Sequence, residues 1–179
     1  ISNDANFKLA GRFDFSGLPD LEKTSTFARI SDLQFNKYSI EAFVSDYTNK
    51  PFVLPEALSR LGNLRFQGKI SGKIENMEAE GMLSTALGTI NSNVNLGFRD
   101  KLQSLSFSGK IETPKFNLGT LANIEKLGNV VFNLNIDGEK KKDIPLSSLL
   151  DGELASVSYN DYQFKNIKLD GKLDGTTFD

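Results

Sequence analysis

The 179-residue chain contains no cysteine, no histidine and no tryptophan. Without cysteine there are no disulfides and no thiolate metal sites. With histidine missing too, zinc loses both of its usual ligands. The same absences exclude a histidine general base and a cysteine nucleophile. They leave the compartment open, because a chain without cysteine suits the cytosol and an oxidising space alike. No run of about 18 consecutive apolar residues occurs, so no segment reads as a membrane-spanning helix. The net charge is only −2, and no basic stripe of the kind nucleic acid requires is present, so no nucleic-acid partner is expected. The chain starts at Ile1 without a signal-peptide pattern and ends on the strand-like KLDGTTFD. Both ends read as cut from something larger, which places any targeting segment or anchor outside this stretch.

What is present is alternation. With 39% hydrophobic and 25% charged residues, the chain is neither disordered nor membrane-like in composition. Apolar residues recur at period two through Phe7, Leu9, Phe13 and Phe15. They do so again through Leu64, Phe66, Ile70 and Ile74, through Met77, Ala79 and Leu83, and through Ile90, Val94, Leu96 and Phe98. Leu105, Phe107 and Ile111 follow, then Val130, Phe132, Leu134 and Ile136. Such runs predict half-buried strands with one apolar and one wet face. Tyr38, Ile40, Ala42 and Val44 are read as a further strand face, as are Ala155, Val157 and Tyr159. ALGT at 86–89 is read as a hairpin connection. Tyr162 and Phe164 share one parity whereas Ile167, Leu169 and Leu173 take the other, so a bulge or a break is expected near Lys165 and Asn166. Helical signals are few: PEALSRL at 55–61, Leu118 to Leu127 with a stop at Gly128, and Pro145 to Leu150.

A weak repeat, apolar-x-Gly-x-apolar, recurs as FKLAGRF, LRFQGKI, LSFSGKI and IKLDGKL, centred on Gly11, Gly68, Gly109 and Gly171. Its irregular spacing rules out a fixed-period solenoid. Glycine weakens a strand and is tolerated where the sheet bends or where another group approaches the backbone. Glycines aligned across neighbouring strands would mark a crease that turns the apolar face inward. Three short helices cannot cover a sheet of about ten strands at roughly 4.8 Å spacing. Either the sheet closes on itself, or part of the Phe-rich face stays reachable. Acyl chains suit such a surface, since each buried methylene contributes about 0.8 kcal/mol.

The stretches GTINSNVNLGF, FSGKIETPKFNLGTL, KLGNVVFNLNIDGE and DGELASVSYNDYQFKNIKLDGKL resemble the C-terminal half of TamB-like proteins, the translocation and assembly module proteins related to the AsmA-like group. Phe116-Asn117-Leu118-Gly119, Leu127-Gly128 and the run from Tyr159 to Ile167 carry most of the likeness. It covers roughly residues 64–179. Within a single 1–179 segment, 62–179 is the best-matched part, and 1–61 matches in style only. The resemblance implies a mostly β fold: a long curled antiparallel or mixed sheet, a β-taco-like trough, with two or three short helices. It implies a periplasmic location and an inner-membrane anchor through a segment absent from this chain. Implied partners are phospholipid acyl chains and an outer-membrane assembly barrel. The implied role is phospholipid conduction and outer-membrane biogenesis, without enzymatic activity, cofactor or metal. The alternative is a structural or assembly scaffold that pairs with client or partner β-strands and carries no lipid. An unrelated glycan-binding sandwich fits less well, because aromatic platforms are scarce.

Residues expected to line the groove are Phe66, Ile70, Ile74, Leu83, Ile90, Val94, Leu96, Leu105, Phe107, Ile111, Val130, Phe132, Leu134, Ile136, Val157, Ile167, Leu169 and Leu173. A lid over the trough would use Phe116, Leu118, Leu121 and Ile124, although a helical stripe more often completes a core. The remaining polar features read as structural. The run Glu139 to Asp143 is a solvated loop between strand and helix. Asp174-Gly175 is turn chemistry, while Asp170-Gly171 belongs to the strand repeat. Glu78 and Glu80 point to water on one strand face.

Overall fold

A computed structural model describes residues 3–4, 7–18, 23–100, 103–175 and 177–179. Eleven strands form one sheet in which each strand pairs antiparallel with its sequence neighbours. Nine are long: β2 (Phe7–Ser16), β3 (Ser25–Phe35), β4 (Leu64–Lys73), β5 (Asn76–Thr85), β6 (Gly88–Arg99), β7 (Ser104–Asn117), β8 (Leu127–Lys141), β9 (Ser147–Tyr159) and β10 (Tyr162–Asp174). Two-residue strands, β1 (Asn3–Asp4) and β11 (Thr177–Phe178), flank them. The two ends of the strand order do not pair, so the sheet is open among the described residues. All pairings are antiparallel, which settles that half of the expected antiparallel-or-mixed sheet.

Three short helices interrupt the meander: α1 (Lys37–Thr48), α2 (Glu56–Ser59) and α3 (Leu118–Ala122). All three connect strands at the same end of the sheet, the end marked by Phe35, Leu64, Asn117 and Leu127. Arg60, just after α2, donates to the Leu121 carbonyl in α3 (3.0 Å) and so ties two of them together.

Several expectations are corrected. Tyr38, Ile40, Ala42 and Val44 are helical, not extended. Asn36 and Ser39 form a reciprocal capping box that starts α1, and this local signal outweighs a chance alternation. Tyr38 and Phe43 remain 67% and 66% exposed. The helix expected over 118–127 ends at Ala122, where left-handed Asn123 caps it, rather than at Gly128. Leu127 already belongs to β8, opposite Tyr159. Pro145 to Leu150 is no helix: Ser147–Leu150 opens β9 against β8 and β10. The run Glu139 to Asp143 does not precede a helix, and Glu139 to Lys141 still belong to β8. The ALGT hairpin stands, with Thr85 paired to Gly88. PEALSRL forms the single turn α2 with Pro55 at its start. The parity change in β10 is not a break: β10 keeps one register with β9 across it, and the bulge lies in β9 against β8. Asn166 takes a left-handed φ of 56° inside a continuous strand, and β9 shifts register with it. That shift puts Leu154 and Val157 on the same face and leaves Ala155 exposed.

Strand β3 carries no clear period-two signal over its whole length because it bulges between Ile30 and Leu33. Each half alternates by itself: Ala28 and Ile30 before the bulge, Leu33 and Phe35 after it. The bulge turns Asp32 toward the opposite, polar face. There it accepts from Lys8 of β2 (2.7 Å), Arg65 of β4 (2.6 Å) and Gln34 (2.9 Å). Lys8, Gln34 and Arg65 hold the Asp32 carboxyl well below the usual carboxylate range, and the cluster ties three strands together where the ladder is irregular.

Candidate functional site: an apolar sheet face

The strand registers bring the apolar parity of every long strand to one face. Across it, Leu9, Leu33, Phe66 and Leu83 run in one row. In the adjacent row lie Gly11, Ile30, Gly68, Gly81, Ser92, Ile111, Leu134, Gly152 and Leu169. In the row beyond that, Gly109 and Gly171 join Ile70, Val94 and Ile136. The opposite face carries Lys69, Glu80, Asn93, Lys110, Glu112, Asn133 and Glu153, all exposed. Glu78 and Glu80 lie there as expected, with Glu80 3.7 Å from Lys69.

The repeat glycines thus fall in two adjacent rows of one face rather than in a single line. Their local role is to make room. A methyl group on Gly68 or Gly81 would come within 2.9 Å of the Phe66 ring edge, and one on Gly138 within 2.7 Å of the Phe107 ring edge. Each ring therefore lies along the sheet over bare backbone instead of standing away from it. The result is apolar area with little relief.

Burial on this face is uneven. Phe116 and Val130, at the helical end, are 3% and 1% exposed. Ala28, Ile30 and Phe66 form a second buried cluster with Phe13, Leu33 and Leu83 against it. Of the 18 residues expected to line a groove, Phe66, Val94, Val130 and Leu134 are buried, and the others are half-buried. Seventeen lie in strands. Ile74 instead sits in the tight turn between β4 and β5, where its carbonyl accepts from Phe98 N–H (2.9 Å).

The four residues expected to form a lid do not share a helix. Phe116 is a buried member of β7, Leu118 and Leu121 are half-buried in α3, and Ile124 lies beyond the helix at 47% exposure. Sequence reasoning also missed Ala28, Ile30, Leu33, Phe35, Leu150 and Leu154, which belong to the same face. The half-runs on either side of the β3 and β9 bulges were the available signal.

No second sheet covers this face among the described residues. The accessible surface supports that geometry. The chain exposes 11484 Å², whereas a compact monomer of 19.8 kDa exposes about 8,600 Å². A hollow of about 320 Å³ exists elsewhere, lined by Ser106, Asp137, Gly138, Glu139, Ser147, Ser148 and Leu149. Ser106, Asp137, Glu139, Ser147 and Leu149 belong to the parity opposite to that of Phe107 and Ile136, so the hollow opens on the other face. No group of metal-ligating side chains occurs among the described residues, and no helix is long and apolar enough to cross a membrane. No protein-family model, curated protein or solved structure matches the chain.

Proposed function

We propose that this chain is a periplasmic segment of a TamB-like envelope protein whose sheet curls into a trough and conducts phospholipid acyl chains between the inner and outer membranes. One observation carries the reading: a single open sheet presents a continuous face of Phe and aliphatic side chains, most of them only half-buried, with no second layer over it among the described residues. Acyl chains offer no hydrogen bonds, so apolar area and shape are all that such a surface needs to supply. The polar opposite face keeps the segment soluble between membranes. In this reading the chain performs no covalent chemistry, it is anchored through a segment outside this stretch, and its outer-membrane partner is an assembly barrel.

Ile111 provides the test. It sits between Ser92 and Leu134 in the middle of the face and is half-buried. Ile111→Asp places a charge where a chain would lie, yet leaves that charge in reach of water, so the fold is expected to survive. Binding of a phospholipid with a fluorescent acyl chain should weaken about tenfold or more in the variant. A folded variant that binds this probe as tightly as the parent would refute the conduit.

The scaffold reading has its own supporting observation, the largely unpaired outer edge of β10. It predicts strand pairing at that edge and no effect of Ile111→Asp.

A further inference from the structure

Strand β11 covers the outer edge of β10 only near its end. It pairs Phe178 with Leu173 and Thr177 with Asp174, and Lys172 exchanges two backbone hydrogen bonds with Asp179 (2.8 and 2.9 Å). Among the described residues no strand pairs with 162–171 on that side. Because Lys172 bonds outward, Lys168, Asp170 and Asp174 also direct their backbone groups to this edge, and Leu169, Gly171 and Leu173 bond back to β9. The even-numbered side chains lie on the polar face and the odd-numbered ones on the apolar face.

The stretch 168–174 reads KLDGKLD, which is its own antiparallel complement. Laid against a reversed copy, Lys168 faces Asp174, Leu169 faces Leu173, Asp170 faces Lys172 and Gly171 faces itself. We propose that β10 pairs in this register with β10 of a second copy of the chain, about a two-fold axis through Gly171, with β11 released from the edge. The axis is normal to the sheet, so both apolar faces stay on one side and the two sheets become one. The inference does not depend on the lipid reading.

Three features favour this partner. First, Asp170 stands directly opposite Asp151 of β9, a like-charge pair that destabilises a ladder. Among the described residues neither Asp170 nor Lys168 has an ion-pair partner, and a lysine arriving at the edge would relieve the repulsion. Second, the register is sharply specified. A slip of two residues either way sets Asp170 against Asp170 or Lys172 against Lys172. A slip of one would put apolar side chains on the polar face. Third, charge on an edge blocks association when the approaching strand cannot complement it, whereas this edge alternates sign and complements its own copy. The partner strand offers seven residues of pairing where β11 and Asp179 together offer three.

The absence of cysteine allows a clean test on the 179-residue chain. Facing Gly171 positions form a non-hydrogen-bonded pair with Cα atoms about 4.5 Å apart, within the span of a disulfide. Sedimentation should show a concentration-dependent dimer that weakens at high salt. Gly171→Cys should oxidise to a covalent dimer in the majority of molecules, and Leu169→Cys should do so far less. Asp170→Lys should be monomeric while melting no lower than the parent, since it removes the clash with Asp151. The double variant Asp170→Lys/Lys172→Asp should dimerise again. A parent that stays monomeric at every concentration would overturn the proposal. So would cross-linking that favours Leu169→Cys, or an Asp170→Lys variant that still dimerises.

Discussion

Phe116→Ala is expected to cost about 3–5 kcal/mol, the range for emptying a buried Phe site. For a chain of this size that lowers the melting temperature by about 6–20 °C. Phe116, the penultimate residue of β7, lies opposite Gly88 on one side and Val130 on the other, at the end where α2 and α3 sit. Gly88 has no side chain to move into the vacated space, and Val130, 1% exposed, is already packed. The site therefore cannot collapse, which is the condition for the upper part of the range. Phe164→Ala is the matched control. Phe164 is 49% exposed near the other end of the same row, and its loss should cost under about 1 kcal/mol. Thermal melts of the two variants decide the matter. Equal losses would mean that the helical end is no better packed than the rest of the face.

Gly152→Ala should be almost as damaging, at about 3 kcal/mol, through the backbone rather than the core. Gly152 lies mid-strand in β9 between Leu134 and Leu169 with φ at 145°, a conformation L-residues rarely adopt. An added methyl would also collide with the Asn133 carbonyl of the neighbouring strand. Relief would require β8 and β9 to part in the middle of their ladder. Gly171, in the next row on β10, has no such left-handed φ, and Gly171→Ala should be close to neutral. Denaturant melts of the pair separate a conformational requirement from the general weakness of glycine in strands. If both variants lose the same stability, glycine is not needed at position 152 for its backbone.

The contrast between β4 and β3 shows what was legible in the sequence. In β4 to β8 each strand keeps one apolar parity for most of its length, so alternation alone placed Phe66, Val94, Phe107 and Leu134 on a common face. In β3 a bulge splits the run, and the strand went unread even though Ala28 and Ile30 are among the most buried residues. Asn166 was flagged because it breaks an otherwise long run. Helices were harder. The α1 signal was the Asn36–Ser39 capping box, a feature of two polar residues that apolar counting ignores. In α3 the apolar spacing overran the true end, because Leu127 serves the sheet and not the helix. Pro145 misled for a related reason. It precedes a strand whose first carbonyl neighbour, Leu146, accepts from Gly175 N–H (2.7 Å), a long-range tie that no local pattern discloses. The crease inferred from the glycines depended on register, and register places them in two rows with rings laid over some of them.

The central claim is that the Phe-rich side of this sheet receives hydrocarbon chains in the cell. Photo-crosslinking side chains installed in cells at Phe107 and Phe132, on the apolar face, and at Lys110 and Asn133, on the opposite face, test it most directly. The account predicts phospholipid adducts at the first two positions and none at the other two. Adducts at all four alike, or at none, would contradict it.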